Sequence, residues 1–248
     1  MQVVVRDIVT QYHRSGKGKS VLLLHGWGDT SASWAPIAEI LAKNYDVIVP
    51  DLPGFGRTGR PQEAWSLSEY AVFVRDFLHK LDVSPYAVIG HSNGGAIAVR
   101  AIGQGQFVAD KLVLLASSGV RSPRTNPGLK VIAKVGKMVA SPLPKKVRSK
   151  LRAKLYAKAG SDMLVAEHMQ ETFKRIVRDD VRADAAYIST PTLLVYGDRD
   201  DQTPLAIARQ LEQAIEGSRL QVIPNTGHFI HIDSPHEALR IVQEFLDA

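Results

Sequence analysis

The chain has no cysteine, which excludes disulfides, thiolate nucleophiles and zinc–thiolate sites. It has no long apolar run either. The opening stretch, MQVVVRDIVTQYHR, places only three valines before Arg6 and Asp7. That is too short for the apolar region of a signal peptide, and no later run is long and apolar enough to span a bilayer. A cytoplasmic location is the expectation. The third absence is local: from Lys111 to Ser161 there is no Asp or Glu, while 13 Lys and Arg fall there. The other residues then hold 18 basic and 25 acidic side chains, so the overall charge of +6 is a property of one segment.

What is present suits a soluble globular protein, with 45% hydrophobic and 23% charged residues. At 248 residues it can bury roughly three quarters of its unfolded surface in a single core. Short β-branched apolar runs recur: SVLLLHG (20–26), DVIVPD (46–51), YAVIGH (86–91), KLVLLAS (111–117), TLLVYGD (192–198) and LQVIPN (220–225). Runs with so little alternation read as strands buried on both faces, hence a parallel sheet. Helical patterns lie between them. SWAPIAEILAK puts Trp34, Ile37, Ala38 and Leu41 on one face. SLSEYAVFVRDFLHKL does the same for Leu67, Tyr70, Val74, Phe77, Leu78 and Leu81, with Ser66 or Ser68 as N-cap and Glu69 placed for a capping box. PLAIARQLEQAI and SPHEALRIVQEFL complete the set. This alternation predicts an α/β fold with a doubly wound, mostly parallel sheet. From about Val120 to Ala186 only helical periodicity appears. That segment is read as a helical cap (120–186) inserted between core strands, with 1–119 and 187–248 forming the core. Such an insertion would lie over the strand ends, where open α/β sheets bind ligands.

One short motif carries chemistry. In VIGHSNGGAIA (88–98), Gly90-His91-Ser92-Asn93-Gly94 fits G-x-S-x-G, in which a serine sits on a sharp strand-to-helix turn. The pattern is common in ordinary turns and counts only in context. Here a strand precedes it and a helix of small residues follows. A serine hydroxyl needs an adjacent base oriented by an acid. NTGHFIHID offers His228 after the last strand, and YGDRDDQTP offers Asp198, Asp200 and Asp201 after the strand before it. From the residues alone the choice among these three carboxylates stays open.

The blocks LLLHGWGD, DLPGFGRT, GHSNGG, GDRDDQTP and GHF, in this order and spacing, resemble the α/β-hydrolase superfamily of serine esterase type. The resemblance covers the whole chain outside the cap. It implies Ser92 as nucleophile and His228, the histidine after a glycine, as base. It implies Asp200 as acid, three residues after Gly197 and four before Pro204. It also implies an oxyanion hole made by the backbone N–H groups of Trp27 and Asn93, with the Trp27 indole lining an acyl pocket. Serine at the elbow, where haloalkane dehalogenases and epoxide hydrolases of this fold carry aspartate, implies acyl transfer through an acyl-enzyme. A carboxylesterase acting on a small-molecule ester, with no cofactor, is the expectation. Thioesterase, lactonase, perhydrolase and C–C bond hydrolase activities share the same residues. HGWG with DLPGFGR also resembles esterases of pimeloyl-carrier-protein esters, although the elbow and the cap differ. A slow-turnover ligand receptor and a non-catalytic scaffold are the readings from other classes.

The remaining polar residues receive structural roles. His25 is expected beneath the oxyanion loop, His91 at the elbow, and His231 in local packing. Asp51 and Arg57 are read as polar partners, Gly54 and Gly56 as turn residues, and Asp198 and Asp201 as solvated carboxylates. A metal site from His228, His231 and Asp233 has no ligand spacing of known type, so no metal is expected. Met138, Met163 and Met169 are read mainly as cap core. In the basic segment, Val147, Leu151 and Leu155 form one apolar stripe, ringed by Lys145, Lys146, Arg148, Lys150, Arg152, Lys154 and Lys158. This positive face is either solvated or docks an anionic surface or an acidic carrier protein. No recognition motif points to nucleic acid.

Overall fold

The computed structural model describes residues 1–121 and 167–248. Eight strands form one sheet: β1 (Gln2–Val5), β2 (Ile8–Ser15), β3 (Ser20–Leu24), β4 (Asp46–Pro50), β5 (Ala87–His91), β6 (Lys111–Leu115), β7 (Thr192–Gly197) and β8 (Arg219–Ile223). Their order is β1-β2-β4-β3-β5-β6-β7-β8. β2 runs antiparallel to both β1 and β4, and every other pairing is parallel. Among the described residues the helices are α1 (Ala35–Leu41), α2 (Leu67–Lys80), α3 (Asn93–Gly103), α4 (Gln170–Ile176), α5 (Arg182–Ala185), α6 (Leu205–Ala214), α7 (Ile230–Asp233) and α8 (Pro235–Asp247).

Strand alternation divides the core into two layers. Leu22, Ile48, Val88, Leu112, Leu114 and Leu194 share one apolar cluster with residues of α2, α3 and α6. Their neighbours Val21, Leu23, Val47, Ile89, Val113 and Val195 pack with α1 and α8 on the opposite face. Fully burying each such side chain is worth about 1.5–3 kcal/mol, so these two layers carry the fold. Trp34, Ile37, Ala38 and Leu41 are all buried, as the spacing predicts.

Two strand readings differ from the sequence expectation. β1 and β2 fall in a stretch where no strand is expected. They join through Arg6 and Asp7, whose φ values of 48° and 63° make a two-residue hairpin turn. Arg-Asp is not the Asn-Gly or Asp-Gly signal that would have marked it. β8 is not buried on both faces: as the last strand of the sheet, it leaves Gln221 exposed and Val222 42% exposed.

The described part of the 120–186 segment is helical, comprising α4, α5 and a short 3-10 turn, Glu167–Met169. Val120, Met169, Phe173, Ile176, Val181 and Ala185 join the same apolar cluster as α2 and α3. The two ends of the segment meet where the Val181 N–H donates to the Gly119 carbonyl at 2.8 Å. Met138, Met163 and the basic stripe from Lys145 to Lys158 lie outside the described residues.

Candidate active site

The C-terminal ends of β3, β5, β7 and β8 open on one edge of the sheet, where open α/β folds gather their ligand-binding loops. β5 ends at His91 and α3 begins at Asn93, so the chain reverses through Ser92 alone. Ser92 has φ 49° and ψ −115°, a backbone that a non-glycine residue holds only when its surroundings enforce it. Its N–H donates to Leu115 at 3.0 Å, and its carbonyl accepts from Ala96 at 3.2 Å and Ser118 at 3.1 Å. Small residues make the reversal feasible: a Cβ on Gly94 would run into the Leu24 carbonyl, and one on Gly90 would lie 2.6 Å from the Gly95 Cα.

Asp200 and His228, expected from the loops after β7 and β8, meet. The Asp200 Oδ2 accepts from His228 Nδ1 at 2.8 Å, with the two residues only 5% and 7% exposed. Oδ1 accepts from the backbone N–H groups of Gln202 and Thr203, each at 2.8 Å. Burial pushes the Asp200 carboxyl up, but the His228 and Thr203 hydrogen bonds outweigh it and hold the group below its ordinary value. With Nδ1–H committed to this carboxylate, His228 keeps Nε2 as its free lone pair. Ser92 and His228 form no hydrogen bond with each other here, a common condition before substrate is bound. His91 links the two, donating from Nε2 to the His228 carbonyl at 3.0 Å. Asp198 and Asp201 are exposed, in keeping with solvated roles.

Thr203 was missed by the sequence reading. Its hydroxyl lies 2.6 Å from Asp200 Oδ2, 3.1 Å from the Ala116 carbonyl and 3.2 Å from His228 Nδ1. It has one hydrogen to give, and the short contact to the charged carboxylate takes it. A threonine one residue before Pro204 was visible in the sequence, but nothing there placed its hydroxyl on the acid.

The loop after β3 is held from below by His25. Its Nε2 accepts from the Leu52 N–H at 2.8 Å, so Nδ1–H donates to the Gly26 carbonyl, also at 2.8 Å. Burial drives its pKa down and keeps the ring neutral, the structural role expected. A Cβ on Gly26 would lie 3.3 Å from the Ser92 Cβ, so this loop runs directly against the elbow and brings Trp27 beside it. The Trp27 ring packs edge-on to Phe55, centroids 4.9 Å apart, and at 5.2 Å from Phe173 of α4. Met169 packs over Gly54, whose φ of +91° fits its turn role. Asp51 accepts from the Ser31 N–H at 2.8 Å and the Arg57 N–H at 2.9 Å. Arg57 therefore partners it through its main chain, while the Arg57 residue itself is exposed.

His231 is buried and stacked on Trp34, centroids 4.6 Å apart and planes at 20°. Among the described residues, the group whose donor atoms converge within 4.8 Å is Asp29, His91 and His231, not His228, His231 and Asp233. Asp29 already accepts from the Thr30 N–H and the Ser33 hydroxyl, each at 2.7 Å. A cleft lined by Pro61, Glu63, His168, Met169, Glu171 and Thr172 opens where α4 meets the 61–64 loop, and its walls include neither Ser92 nor His228.

Residues 21–241 match the model of the alpha/beta hydrolase family. The chain belongs to this family. This alpha/beta hydrolase is 27% identical to a 2-hydroxy-6-oxo-2,4-heptadienoate hydrolase of Pseudomonas putida, over 99% of this chain and 95% of the relative. It is also 27% identical to a pimeloyl-[acyl-carrier protein] methyl ester esterase of Aeromonas hydrophila, over 94% of this chain and 97% of that one. The enol-lactonase of Burkholderia xenovorans shares its fold with a TM-score of 0.80, at 19% identity over the full length of both chains. No helix among the described residues is long and apolar enough to cross a membrane.

Proposed function

We propose that this hydrolase cleaves carboxylic esters through an acyl-enzyme formed on Ser92. The observation that carries the reading is the buried Asp200–His228 pair, which leaves Nε2 uncommitted and is tied through the His228 carbonyl to His91, the residue before Ser92 on its positive-φ turn. In this mechanism Ser92 Oγ attacks the ester carbonyl while His228 Nε2 takes its proton. The carbonyl oxygen becomes an oxyanion held by the N–H groups of Trp27 and Asn93. Each such donor is typically worth ~3–4 kcal/mol in the transition state. His228 then gives the proton to the leaving alkoxide, and the alcohol departs. Water, deprotonated by the same nitrogen, releases the acid and restores Ser92. Asp200 fixes the imidazole tautomer and stabilises the imidazolium. No cofactor enters these steps.

The second reading is C–C bond hydrolysis with the same residues, favoured by the name of the Pseudomonas putida relative. In either reading residues 120–186 act as a cap over the strand ends, supported by α4 and its Phe173 against Trp27. The basic stretch Lys145–Lys158 would dock an anionic surface or an acidic carrier protein. The carrier in the name of the Aeromonas hydrophila esterase supports the latter.

The test is covalent labelling. A phosphonate is expected to modify Ser92, and Ser92→Ala or His228→Ala to lower turnover of a short-chain ester by orders of magnitude, on the scale of ~10⁶. Asp200→Asn is expected to be severe, on the order of 10⁴, with Asp198→Asn and Asp201→Asn mild. Label on another residue, or a ring-cleavage dienoate turned over far faster than any ester, would defeat the esterase reading.

A further inference from the structure

Asn93 follows Ser92, and the mechanism above uses only its backbone N–H. Asn93 is 3% exposed, yet among the described residues neither Oδ1 nor Nδ2 of its side chain has a hydrogen-bond partner. Most buried polar groups are paired, so a carboxamide with both ends unmet, next to the reacting serine, calls for a ligand.

Helix geometry says which way it faces. Asn93 opens α3 and shares a face with Ala96 and Ile97, three and four residues on. Gly94 and Gly95 take the directions toward the sheet, against the Leu24 carbonyl and the Ser117 side chain respectively. Ala96 and Ile97 belong to the apolar cluster that contains Trp27, Phe173, Val120 and Val181. A Cβ on Gly119 would meet both Ala96 and Val181 at 2.9 Å. The Ala96 side of α3, which Asn93 shares, therefore meets Gly119 and Val181 at the two ends of the 120–186 segment, while Gly94 and Gly95 take the directions of Leu24 and Ser117.

We propose that the Asn93 carboxamide recognises substrate, and that the preferred ester carries a hydroxyl on the carbon next to the scissile carbonyl. The inference rests on the esterase reading of Ser92. The Asn93 N–H would hold the acyl oxygen, so the first acyl carbon is the part of the substrate nearest the side chain of the same residue. A hydroxyl there both donates, to Oδ1, and accepts, from Nδ2. A substrate lacking it leaves the carboxamide buried and unpaired, which is how a site rejects an apolar isostere more strongly than it discriminates among alkyl groups.

The experiment compares kcat/KM for methyl 2-hydroxyhexanoate and methyl 2-methylhexanoate, which differ by OH for CH3, with each enantiomer taken separately. The wild-type protein is expected to favour the hydroxy ester by on the order of 10²-fold or more. Asn93→Leu is expected to bring the ratio to within a few-fold of one. It should also melt at or above the wild-type Tm, because it removes an unsatisfied buried group. A wild-type ratio near one overturns the proposal without reference to any variant. So does a ratio that Asn93→Leu leaves unchanged, or a Tm well below wild type, which would make the carboxamide a structural partner. If neither ester is cleaved and phosphonate leaves Ser92 free, the esterase reading itself fails and takes this inference with it.

Discussion

At the scale of the residue, Thr203 shows how one hydroxyl tunes a charge pair. It donates to Asp200 Oδ2, the same oxygen that accepts from His228, and so draws off part of the carboxylate's negative charge. Replacing it with the isosteric valine removes a buried hydrogen bond to a charged oxygen, so Thr203→Val is expected to cost about 1.5–3 kcal/mol, read as a lower Tm by circular dichroism. An unchanged Tm would show that the hydroxyl does little to hold the carboxylate. Ser92 stood out in the sequence as the centre of G-x-S-x-G, and His228 as a histidine after the last strand. Asp200 was separated from Asp198 and Asp201 only by the family resemblance, and the structure brings Asp200 and His228 together. The Thr203 contact and the orphaned Asn93 carboxamide were not legible, because both depend on which atoms a fold brings within 3 Å and which it leaves unmatched.

At the scale of the element, α2 is the helix whose start the sequence described best and still incompletely. Ser66 caps it, accepting from the Ser68 N–H at 3.2 Å, while Glu69 reaches back to the Ser66 N–H at 2.6 Å. The capping box was readable because it lies within four residues. A second cap comes from far along the chain: Asp179 Oδ2 accepts the Leu67 N–H at 2.8 Å, and the Thr172 hydroxyl accepts the Trp65 N–H at 3.1 Å. The described end of the 120–186 segment thus satisfies one orphan donor of a core helix and ties down the residue before its cap, a link that no local pattern announces. Ser66→Ala is expected to cost about 1 kcal/mol, lowering Tm by roughly 2–4 °C. Thermal unfolding followed by circular dichroism checks it, and an unchanged Tm would mean that Asp179 alone carries the helix start. The β1–β2 hairpin went unseen for a related reason: its turn residues are a charged pair with no glycine or asparagine to advertise the positive φ. β8 was seen, but its exposure was not, because strand order decides which strand becomes an edge.

At the scale of the whole molecule, buried histidines set how the fold meets acid. Burial, aided by His228 and opposed by Asp29, lowers His231 to about 4, and burial with His231 and His228 beside it pushes His91 well below its ordinary value. In the unfolded chain both rings take up protons near pH 6.5, whereas His231 in the folded chain waits until about 4. The unfolded state therefore binds more protons between these values, and stability falls as pH drops from about 6.5 toward 4. For His231 the difference amounts to about 3 kcal/mol, so His231→Phe is expected to flatten the decline of Tm across that window. A variant that declines as steeply as wild type would assign the loss to His91 and the other buried groups. The ring lying flat on His231 has its own consequence. Trp34 is an indole in face-to-face contact with an imidazole, and protonated imidazole quenches indole emission while the neutral ring does so weakly. The molecule thus contains an optical gauge of its own interior, in which the brightness of one tryptophan is expected to report whether acid has reached the space behind the Ser92 turn before the chain comes apart.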